Sequence, residues 1–396
     1  MRIGIFADSY EPYVSGVVRS IKTFTKELID LGHQIYIFAP SYSQQKNQEP
    51  RVVEETQEGV TVFRYFSLPV PTYPGFVLPL PISFRTNQLV RKLKIDIVHS
   101  HSPFLMGQLA AMVARRHKLP LVFTHHTLYP EYAHYVPVAQ PLVRRLTIRF
   151  LSDYCRKCDL VIAPSPSLEA WLKSTYELEK PTAVIPTGIL LENYAQGDPT
   201  WLRRAYNIPE ETPILLFVGR ISKEKNVTFL LDMLPYVKAP TVLICVGSGP
   251  LQEQMEARAQ EMGLGDRLIF TGLLEHHKVI DACLGADIFV FPSVTETQGI
   301  VLAEAMAGHT PVVAVESPAT SDILTDGKEG FLTPAEPEIF AQRVNSLLED
   351  PNLLQEMGQR AAEKATQYSS HQMALRLVSS YQMLLEQRQL QKAHQA

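Results

Sequence analysis

The sequence has few cysteines and no long apolar run, and each absence excludes a class of protein. Four cysteines occur in 396 residues (Cys155, Cys158, Cys245 and Cys283), too few and too scattered for a disulfide framework. No stretch approaches the roughly 18 consecutive apolar residues of a membrane-spanning helix, and the first residues show no signal-peptide pattern. We therefore expect a protein that folds as a soluble body in a reducing cytoplasm, with no segment across a membrane.

Several motifs of nucleotide-dependent and metal-dependent proteins are also missing. The sequence contains neither the G-x-G-x-x-G fingerprint of dinucleotide-binding domains nor the G-x-x-x-x-G-K-[ST] loop of P-loop NTPases. The pair Cys155-x-x-Cys158 lies within a helical pattern and has no second ligand pair at zinc spacing, which indicates a structural role. A nicotinamide dehydrogenase, a P-loop NTPase and a zinc or dithiol redox protein are thus disfavoured.

The net charge of −4 argues against bulk binding of nucleic acid, but the charge is unevenly distributed. Residues 1–190 contain 21 Lys and Arg against 15 Asp and Glu, a net charge of +6, which leaves −10 for the remainder. A basic half can be a solvated face, or it can suit an anionic surface such as a layer of lipid headgroups.

Strand and helix patterns alternate along the chain in two similar series, as in parallel sheets covered by helices. In the first half, helical patterns separate strand-like runs at 3–7, 35–38, 97–99, 121–124 and 160–163. After Thr187-Gly188 the series restarts, with strand-like runs at 214–218, 242–246, 268–270, 288–291 and, as the last, 312–314. We predict an α/β protein of two tandem, doubly wound, Rossmann-like domains, 1–188 and 189–374. A helix at about 375–396 would pack back on one of them.

Two glutamates, Glu296 and Glu304, follow the strand-like run 288–291. In an open parallel sheet the ligand crevice lies beyond the carboxyl ends of the strands, so Glu296 is predicted at a crevice edge. Gly299 lets the backbone approach a ligand, and the helix after it presents N–H groups suited to a phosphate. Glu304, just over one turn inside that helix, could accept both hydrogens of a vicinal diol. The alternative is that both glutamates only interact with the helix dipole.

Two cations, Arg220 and Lys225, occupy the loop after the strand-like run 214–218. They could converge on a diphosphate, Arg as a bidentate fork and Lys as a compact charge, and neutralise it without a metal ion. The alternative is a solvated basic loop. Gly16 and Gly247 each lie in a strand-to-helix loop and are weak signals alone.

Histidines cluster at predicted strand ends in the first half of the chain. His99 and His101 lie at one strand end, His125 and His126 at the next, and His134 follows. We expect strand-end histidines to line a cleft rather than the core, with His101 and His125 bordering the same cleft. A structural role stays open for any single one of them.

The chain resembles the retaining glycosyltransferases of family four. Five residues occur in the order typical of that family: Gly16, Arg220, Lys225, Glu296 and Glu304. The resemblance extends over nearly the whole chain and is most specific in the segment 292–308. It implies the GT-B fold, with two Rossmann-like domains and an interdomain cleft. The N-terminal domain would bind the acceptor and receive the final helix, and the C-terminal domain would bind a nucleotide sugar.

The resemblance also implies roles for individual residues. Arg220 and Lys225 would bind the diphosphate, Glu304 the ribose, and Glu296 the transferred sugar. The candidate catalytic residues are Glu296, His101, Arg220 and Lys225. The candidate donor-binding residues are Gly16, Arg220, Lys225, Gly247, Thr297, Gln298, Gly299 and Glu304. The candidate acceptor-binding residues are His101, His125, Tyr129 and Tyr135. No metal ligand and no cofactor are expected.

Two positions depart from the common pattern of the family. Gln298 replaces an aromatic residue found in many members, and Thr187 replaces an Asn. Together with Ser15-Gly16 and the run 125–136, these departures resemble the bacterial diacylglycerol glucosyltransferases. That branch implies a UDP-glucose donor, a diacylglycerol acceptor and peripheral attachment to the inner face of the cell membrane.

Two segments of the basic half fit membrane contact. The segment 67–82 is uncharged and rich in Pro and apolar residues, and a helix is predicted at 142–158. One face of that helix carries Arg145, Arg149 and Arg156, and a neighbouring face carries Val143, Leu146, Phe150 and Tyr154. The alternatives are a packed connection and a helix with a solvated basic stripe.

The hypothesis from the sequence is the transfer of a hexose from a nucleoside diphosphate to the hydroxyl of diacylglycerol with retention of configuration. The hydroxyl proton would pass to a leaving phosphate oxygen, so no protein nucleophile is required. Three alternatives stay open: a transferase of the same fold with a soluble or inositol-lipid acceptor, a sugar-nucleotide epimerase, and a non-catalytic module that binds sugar nucleotides.

Overall fold

The computed structural model describes residues 1–42, 53–57, 59–70, 76–81, 83–131 and 139–395. The chain divides into two compact units, one formed by Met1–Gly188 with Ser370–Ala396 and the other by Ile189–Ser369. The final helix thus belongs to the first unit, and it starts earlier than the predicted position near 375.

The elements up to residue 188 are β1 Arg2–Phe6, α1 Gly16–Asp30, β2 Gln34–Pro40, β3 Val53–Gln57, β4 Val60–Tyr65, β5 Ser67–Pro69, β6 Val77–Pro79, α2 Ser83–Leu93, β7 Ile97–Ser100, α3 Leu105–His117, β8 Leu121–Thr124, α4 Gln140–Lys157, β9 Leu160–Ala163, α5 Pro166–Tyr176 and β10 Thr182–Val184. The elements that follow are α6 Trp201–Tyr206, β11 Ile214–Val218, α7 Thr228–Met233, β12 Val242–Val246, α8 Gln252–Glu261, β13 Leu268–Gly272, α9 His276–Gly285, β14 Ile288–Phe291, α10 Ile300–Ala307, β15 Val312–Val315, α11 Pro318–Ile323, β16 Gly330–Thr333, α12 Pro337–Leu348, α13 Pro351–Ala365 and α14 Ser370–Gln395.

Each unit is built on one doubly wound sheet. The strand order is β10-β9-β8-β7-β1-β2-β4-β3 in the first unit and β13-β12-β11-β14-β15-β16 in the second. All neighbouring strands in the two sheets are parallel except β3, which pairs antiparallel with β4. Strands β7, β8, β9, β14 and β15 are buried along their whole length, because helices cover both faces of such sheets. The predicted fold class is confirmed.

Serine caps mark the starts of several helices. The Ser15 hydroxyl accepts a hydrogen bond from the Val18 N–H at 3.3 Å where α1 begins, and Ser165 caps α5 in the same way. Such caps satisfy N–H groups that have no partner within the helix, so they fix the residue at which each strand-to-helix loop ends.

The structure differs from the sequence prediction in four strands and one loop. Strands β3, β4 and β10 were not predicted, and β16 follows the run at 312–314 that was predicted to be the last. The segment 67–82 contains the antiparallel pair β5 and β6, while its residues 71–75 and 82 lie outside the described residues. None of the helices in the described ranges is both long and apolar enough to span a membrane.

Candidate active site

The second unit has a topological switch point between β11 and β14. These strands are neighbours in the sheet although β12 and β13 separate them in the chain. The connections after β11 and β14 therefore run to opposite sides, which opens a crevice at the carboxyl ends of the two strands. The loops 219–226 and 292–299 begin at this point, and they contain three charged residues singled out in the sequence, Arg220, Lys225 and Glu296.

Three hydrogen bonds join the two loops. The Lys225 ammonium donates to Glu296 Oε1 at 2.5 Å. Asn226 Nδ2 donates to the Pro292 carbonyl at 3.3 Å, and the Thr295 hydroxyl donates to the Glu224 carbonyl at 2.9 Å. The structure thus brings Lys225 and Glu296 together, although 71 residues separate them in the chain.

Lys225 and Glu296 form a mostly buried ion pair in which the ammonium keeps N–H donors for a further contact. Their side chains are 27% and 13% exposed, and Glu296 Oε1 also accepts from the Ser293 hydroxyl at 2.8 Å. One hydrogen bond to Glu296 uses one of the three N–H donors of the Lys225 ammonium. The pair therefore fixes the carboxylate and leaves the ammonium able to contact an anion.

Arg220 directly follows Gly219 at the end of β11 and has an exposed side chain. Its guanidinium lies 3.9 Å from a Glu224 carboxylate oxygen, a long contact for an ion pair. A guanidinium carries five N–H donors in a planar fork, which suits two oxygens of a phosphate. Arg220 and Lys225 belong to one loop, so the arrangement can present two cations to a diphosphate.

The start of α10 combines a left-handed glycine with the first N–H groups of the helix. Gly299 has φ 69° and ψ 41°, a left-handed conformation that favours glycine, and the helix has no side-chain cap. Thr297 is partly buried and Gln298 is buried beside it. The first N–H groups of α10 are oriented along the helix axis, with the positive end of its dipole, as at many phosphate and sugar sites.

Glu304 lies inside α10, at its fifth residue, and is only 1% exposed. It is thus placed deeper than Glu296, behind the loop that precedes the helix. Burial of a carboxylate costs solvation free energy, so a carboxylate at this depth in a helix is uncommon unless the residue has a function. The contact of Glu304 with a diol stays a prediction.

Gly247 has a packing role that the sequence did not indicate. Its φ is 135°, and a Cβ added there would lie 2.0 Å from the Gly219 carbonyl oxygen. Its N–H donates to the Gly272 carbonyl at 2.9 Å. The close approach of the two loops therefore requires glycine at this position, and the donor contact of Gly247 stays a prediction.

The first unit has its own switch point, between β1 and β7. Gly16 is the first residue of α1 and directly follows the loop after β1. A Cβ added there would meet nothing within 4 Å. The unit itself therefore does not require glycine at this position. His101 follows β7, and its N–H donates to the Phe6 carbonyl at the end of β1 at 2.8 Å. Both predicted residues thus lie at this switch point.

Three of the four strand-end histidines are at most 2% exposed, and the fourth is partly buried. His99 is buried, with its ring nitrogens 2.6 Å from the Tyr381 hydroxyl and 2.8 Å from the Thr124 hydroxyl. His125 is also buried, and its Nε2 lies 3.2 Å from the Tyr176 hydroxyl. Burial lowers the pKa of both histidines to about 3, so both are neutral at pH 7. The expectation that His99 and His125 line a cleft is wrong, because their side chains point into the core.

His101 forms a hydrogen bond with a residue that the sequence analysis did not assign to the site. Its Nδ1 lies 2.9 Å from His126 Nε2, and the two rings are nearly coplanar. Burial lowers the pKa of His126 to about 4 and that of His101 well below its usual value. One neutral ring therefore donates to the other, so the tautomer of His101 depends on His126. The signal in the sequence was the strand-end position that His126 shares with His125.

Asp8 is a second residue that the sequence analysis missed. It lies just beyond β1, where burial raises its carboxyl pKa to about 6. Its Oδ1 accepts from the Met106 N–H at 2.9 Å, and its own N–H donates to the Ser102 hydroxyl at 2.9 Å. Asp8 thereby holds the loop that carries His101 and the start of α3.

The remaining acceptor candidates are only partly described. Tyr129 is partly buried and meets the Phe104 ring edge-on, with 5.1 Å between the ring centroids. Tyr135 and His134 lie outside the described residues. Among the residues that the structure does describe, no three His, Cys, Asp or Glu side chains form a group able to hold a metal ion.

Comparisons with known proteins identify the family. The model "Glycosyl transferases group 1" matches residues 200–364, and "Glycosyltransferase Family 4" matches residues 14–193. The α-monoglucosyldiacylglycerol synthase of Streptococcus pneumoniae is 30% identical over 362 residues, 89% of this chain and 80% of that protein. The synthase of the same name from Acholeplasma laidlawii is 27% identical over 384 residues, 93% of this chain and 94% of that protein.

A solved structure shows the same fold. The Anabaena protein HepE in complex with UDP has a TM-score of 0.78 to this structure at 20% identity, over 97% of this chain and 100% of that one. The two doubly wound sheets, the family models and the identity with the synthases agree. The chain therefore belongs to the retaining glycosyltransferases of family four and is a hexosyltransferase with the GT-B fold.

Proposed function

We propose that this protein transfers glucose from UDP-glucose to the free hydroxyl of 1,2-diacylglycerol, with retention at the anomeric carbon. The relatives named as α-monoglucosyldiacylglycerol synthases support this product, and the UDP-bound structure of the fold neighbour supports the donor. The observation on this chain that carries the lipid acceptor is an exposed apolar and basic surface on α4.

That surface has the composition of a peripheral membrane contact. Leu142, Leu146 and Phe150 are 55%, 57% and 40% exposed, and their spacing of four residues aligns them along α4. Arg145 and Arg149 are exposed on the same helix. Apolar side chains can enter the acyl boundary while cations meet anionic headgroups, each cation contributing about 1 kcal/mol.

One neighbouring ring extends the apolar part of this surface, and a second exposed apolar group lies in the segment 67–82. The Phe104 ring stacks on Phe150 with 5.9 Å between centroids and is itself exposed. In the described part of the segment 67–82, Leu68 on β5, Leu78 on β6 and Leu80 just after β6 form a second group of exposed apolar side chains. Exposed apolar side chains grouped in this way are typical of interaction surfaces.

Two residues of the predicted stripe have other partners. Tyr154 is buried, its hydroxyl 2.6 Å from that of Ser100, so it belongs to the core rather than to the apolar face. Arg156 forms an ion pair with Asp153 at 3.3 Å, which partly neutralises it. The membrane surface that we propose is therefore centred on the first three turns of α4.

In the proposed reaction, Arg220 and Lys225 bind the diphosphate of the donor and stabilise the charge that develops on it as the bond to the anomeric carbon breaks. Glu304 binds the ribose, and Glu296 with the backbone of 297–299 positions the hexose. The acceptor hydroxyl attacks the anomeric carbon from the face that the diphosphate leaves, and the hydroxyl proton passes to a phosphate oxygen. His101, held by His126, contacts the sugar and the acceptor. No metal ion is needed, because the two cations supply the charge.

The test is an acceptor and donor screen. The protein is incubated with UDP-glucose, other nucleotide sugars, and vesicles containing diacylglycerol, inositol lipids or neither, and released nucleotide and glycolipid are measured. Release of UDP coupled to glucosyl-diacylglycerol supports the proposal. Transfer only to a soluble or inositol-lipid acceptor, a changed sugar nucleotide without acceptor, or donor binding without turnover would each favour a different function.

A further inference from the structure

A large basic groove lies in the first unit, at the edge of its sheet opposite to the carboxyl ends of β1 and β7. Its volume is about 950 Å³, within the range of small-molecule sites. The lining includes Leu121, which begins β8, and Asp159, which precedes β9, so the groove is at the amino ends of these strands. The carboxyl ends of α3 and α4 and one side of α14 complete its wall.

The charge of the groove is strongly unbalanced. Five cations line it: Arg115, Arg116, Lys118, Lys157 and Arg388. The one carboxylate in the lining is Asp159, which accepts from the Leu121 N–H at 2.8 Å and from Arg388 at 2.9 Å. Four positive charges therefore lack a counterion in the groove wall.

The three cations at the end of α3 are available to a ligand. In the described ranges, Arg115, Arg116 and Lys118 form no ion pair with a carboxylate, and all three are exposed. Like charges that share one groove repel each other, and this repulsion is relieved when a multiply charged anion binds. Two guanidinium forks and nearby ammonium groups match the oxygens of phosphate groups.

We propose that this groove binds a multiply charged, phosphate-bearing anion, either a soluble phosphate ester or the headgroup of an anionic phospholipid. A bound anion links α3, α4 and α14, because Lys157 and Arg388 belong to the same lining. The site is separate from the residues assigned to catalysis, so the proposal does not rest on the proposed function.

Cations at a helix carboxyl end also interact with the helix dipole, and the chain offers a matched control for this simpler explanation. Helix α2 ends with Arg91, Lys92 and Lys94, the same spacing as Arg115, Arg116 and Lys118. The last lysine of each set has φ 53°. The α2 cations do not line the groove.

The experiment compares two triple variants. The groove variant carries Arg115→Gln, Arg116→Gln and Lys118→Asn, and the control carries Arg91→Gln, Lys92→Gln and Lys94→Asn. Asn is used at the left-handed positions because it tolerates them. Binding of inorganic pyrophosphate is measured by calorimetry. All proteins also carry Arg220→Ala and Lys225→Ala, so that the candidate donor site does not contribute. Thermal melting verifies that each variant is folded.

We expect the groove variant to bind pyrophosphate at least about 100-fold more weakly, and the control to bind it like the parent. Sedimentation with vesicles of equal parts phosphatidylcholine and phosphatidylglycerol identifies the source. A selective loss on these vesicles indicates a headgroup site, and loss of pyrophosphate binding alone indicates a soluble phosphate. The proposal is overturned if both variants lose pyrophosphate and vesicle binding equally, or if neither loses either.

Discussion

Replacement of Lys225 by alanine is the sharpest test of the donor site. The change removes the ammonium that donates to Glu296 Oε1 and, in the proposed reaction, to the leaving diphosphate. Lys225→Arg keeps the charge but changes the donor geometry. Lys223→Ala is the matched control, since it removes an exposed cation two residues earlier in the same loop.

The size of the effect follows from the contacts. A charge-assisted hydrogen bond contributes about 1.5–3 kcal/mol, and loss of one donor to developing charge slows turnover by about 10² to 10³. The ion pair itself is mostly buried, so its loss lowers the free energy of unfolding by about 1–2 kcal/mol, between the values for exposed and buried pairs. That corresponds to a melting temperature lower by only a few degrees, and the variant stays folded at 25 °C.

The assay measures UDP release and glucolipid formation at saturating donor, with Arg220→Ala in parallel. We expect kcat to fall about 10²-fold in both alanine variants and to change less than about twofold in Lys223→Ala. Near-normal kcat in both Lys225→Ala and Arg220→Ala would refute the assignment of these cations to the diphosphate. An equal loss in Lys223→Ala would indicate long-range attraction of the donor instead.

Four further predictions follow from the site and its surroundings. Activity should survive EDTA, and full loss that a divalent ion restores would show that the cations do not replace a metal. Vesicle binding should weaken strongly at 1 M salt, where the Debye length is about 3 Å. It should also weaken strongly in the double variant Arg145→Glu and Arg149→Glu, but much less in Arg156→Glu. Equal sedimentation of the unchanged protein and both variants would indicate that α4 is only a solvated helix. Gly247→Ala should melt several degrees lower, since its Cβ meets a backbone carbonyl 2.0 Å away, and an unchanged melting temperature would contradict the packing role. The Asp8 carboxyl, with its pKa raised from 3.8 to about 6, favours the protonated form when folded, so the free energy of unfolding should fall by about 2 kcal/mol as pH rises from 4 to 6; Asp8→Asn should flatten that part of a urea-denaturation pH series.

The main sheets and the donor loops could be predicted because their signals are local. Each buried strand is a short apolar run, and the loop after it starts at the carboxyl edge of the sheet by topology alone. Lys225 and Glu296 were each assigned to such a loop, and the adjacency of β11 and β14 brings them within hydrogen-bond distance. The sequence did not show that they pair with each other, because that depends on strand order.

The missed features depend on information that a local pattern does not contain. The antiparallel β3 has mostly exposed side chains, so it lacks an apolar run, and β16 has only two apolar side chains between Gly330 and Thr333. His125 ends a strand as His101 does, but the direction of its side chain follows from tertiary packing against Tyr176. The steric requirement at Gly247 likewise comes from a second loop, near Gly219, 28 residues earlier in the chain.

The course of the last helix affects the order in which the protein can be completed during synthesis. The first unit contains residues from both ends of the chain, while the second is one continuous segment. On α14, Ser370 donates to Glu27 at 2.5 Å, and the Tyr381 hydroxyl lies 2.6 Å from buried His99. A ribosome that has translated the first 188 residues has thus produced a segment whose His99 can reach Thr124 but still lacks Tyr381, its second hydrogen-bond partner. At about 5–20 residues per second, that unit waits roughly ten seconds or more for its last helix, so chaperones that shield its open face have a defined window in which to act.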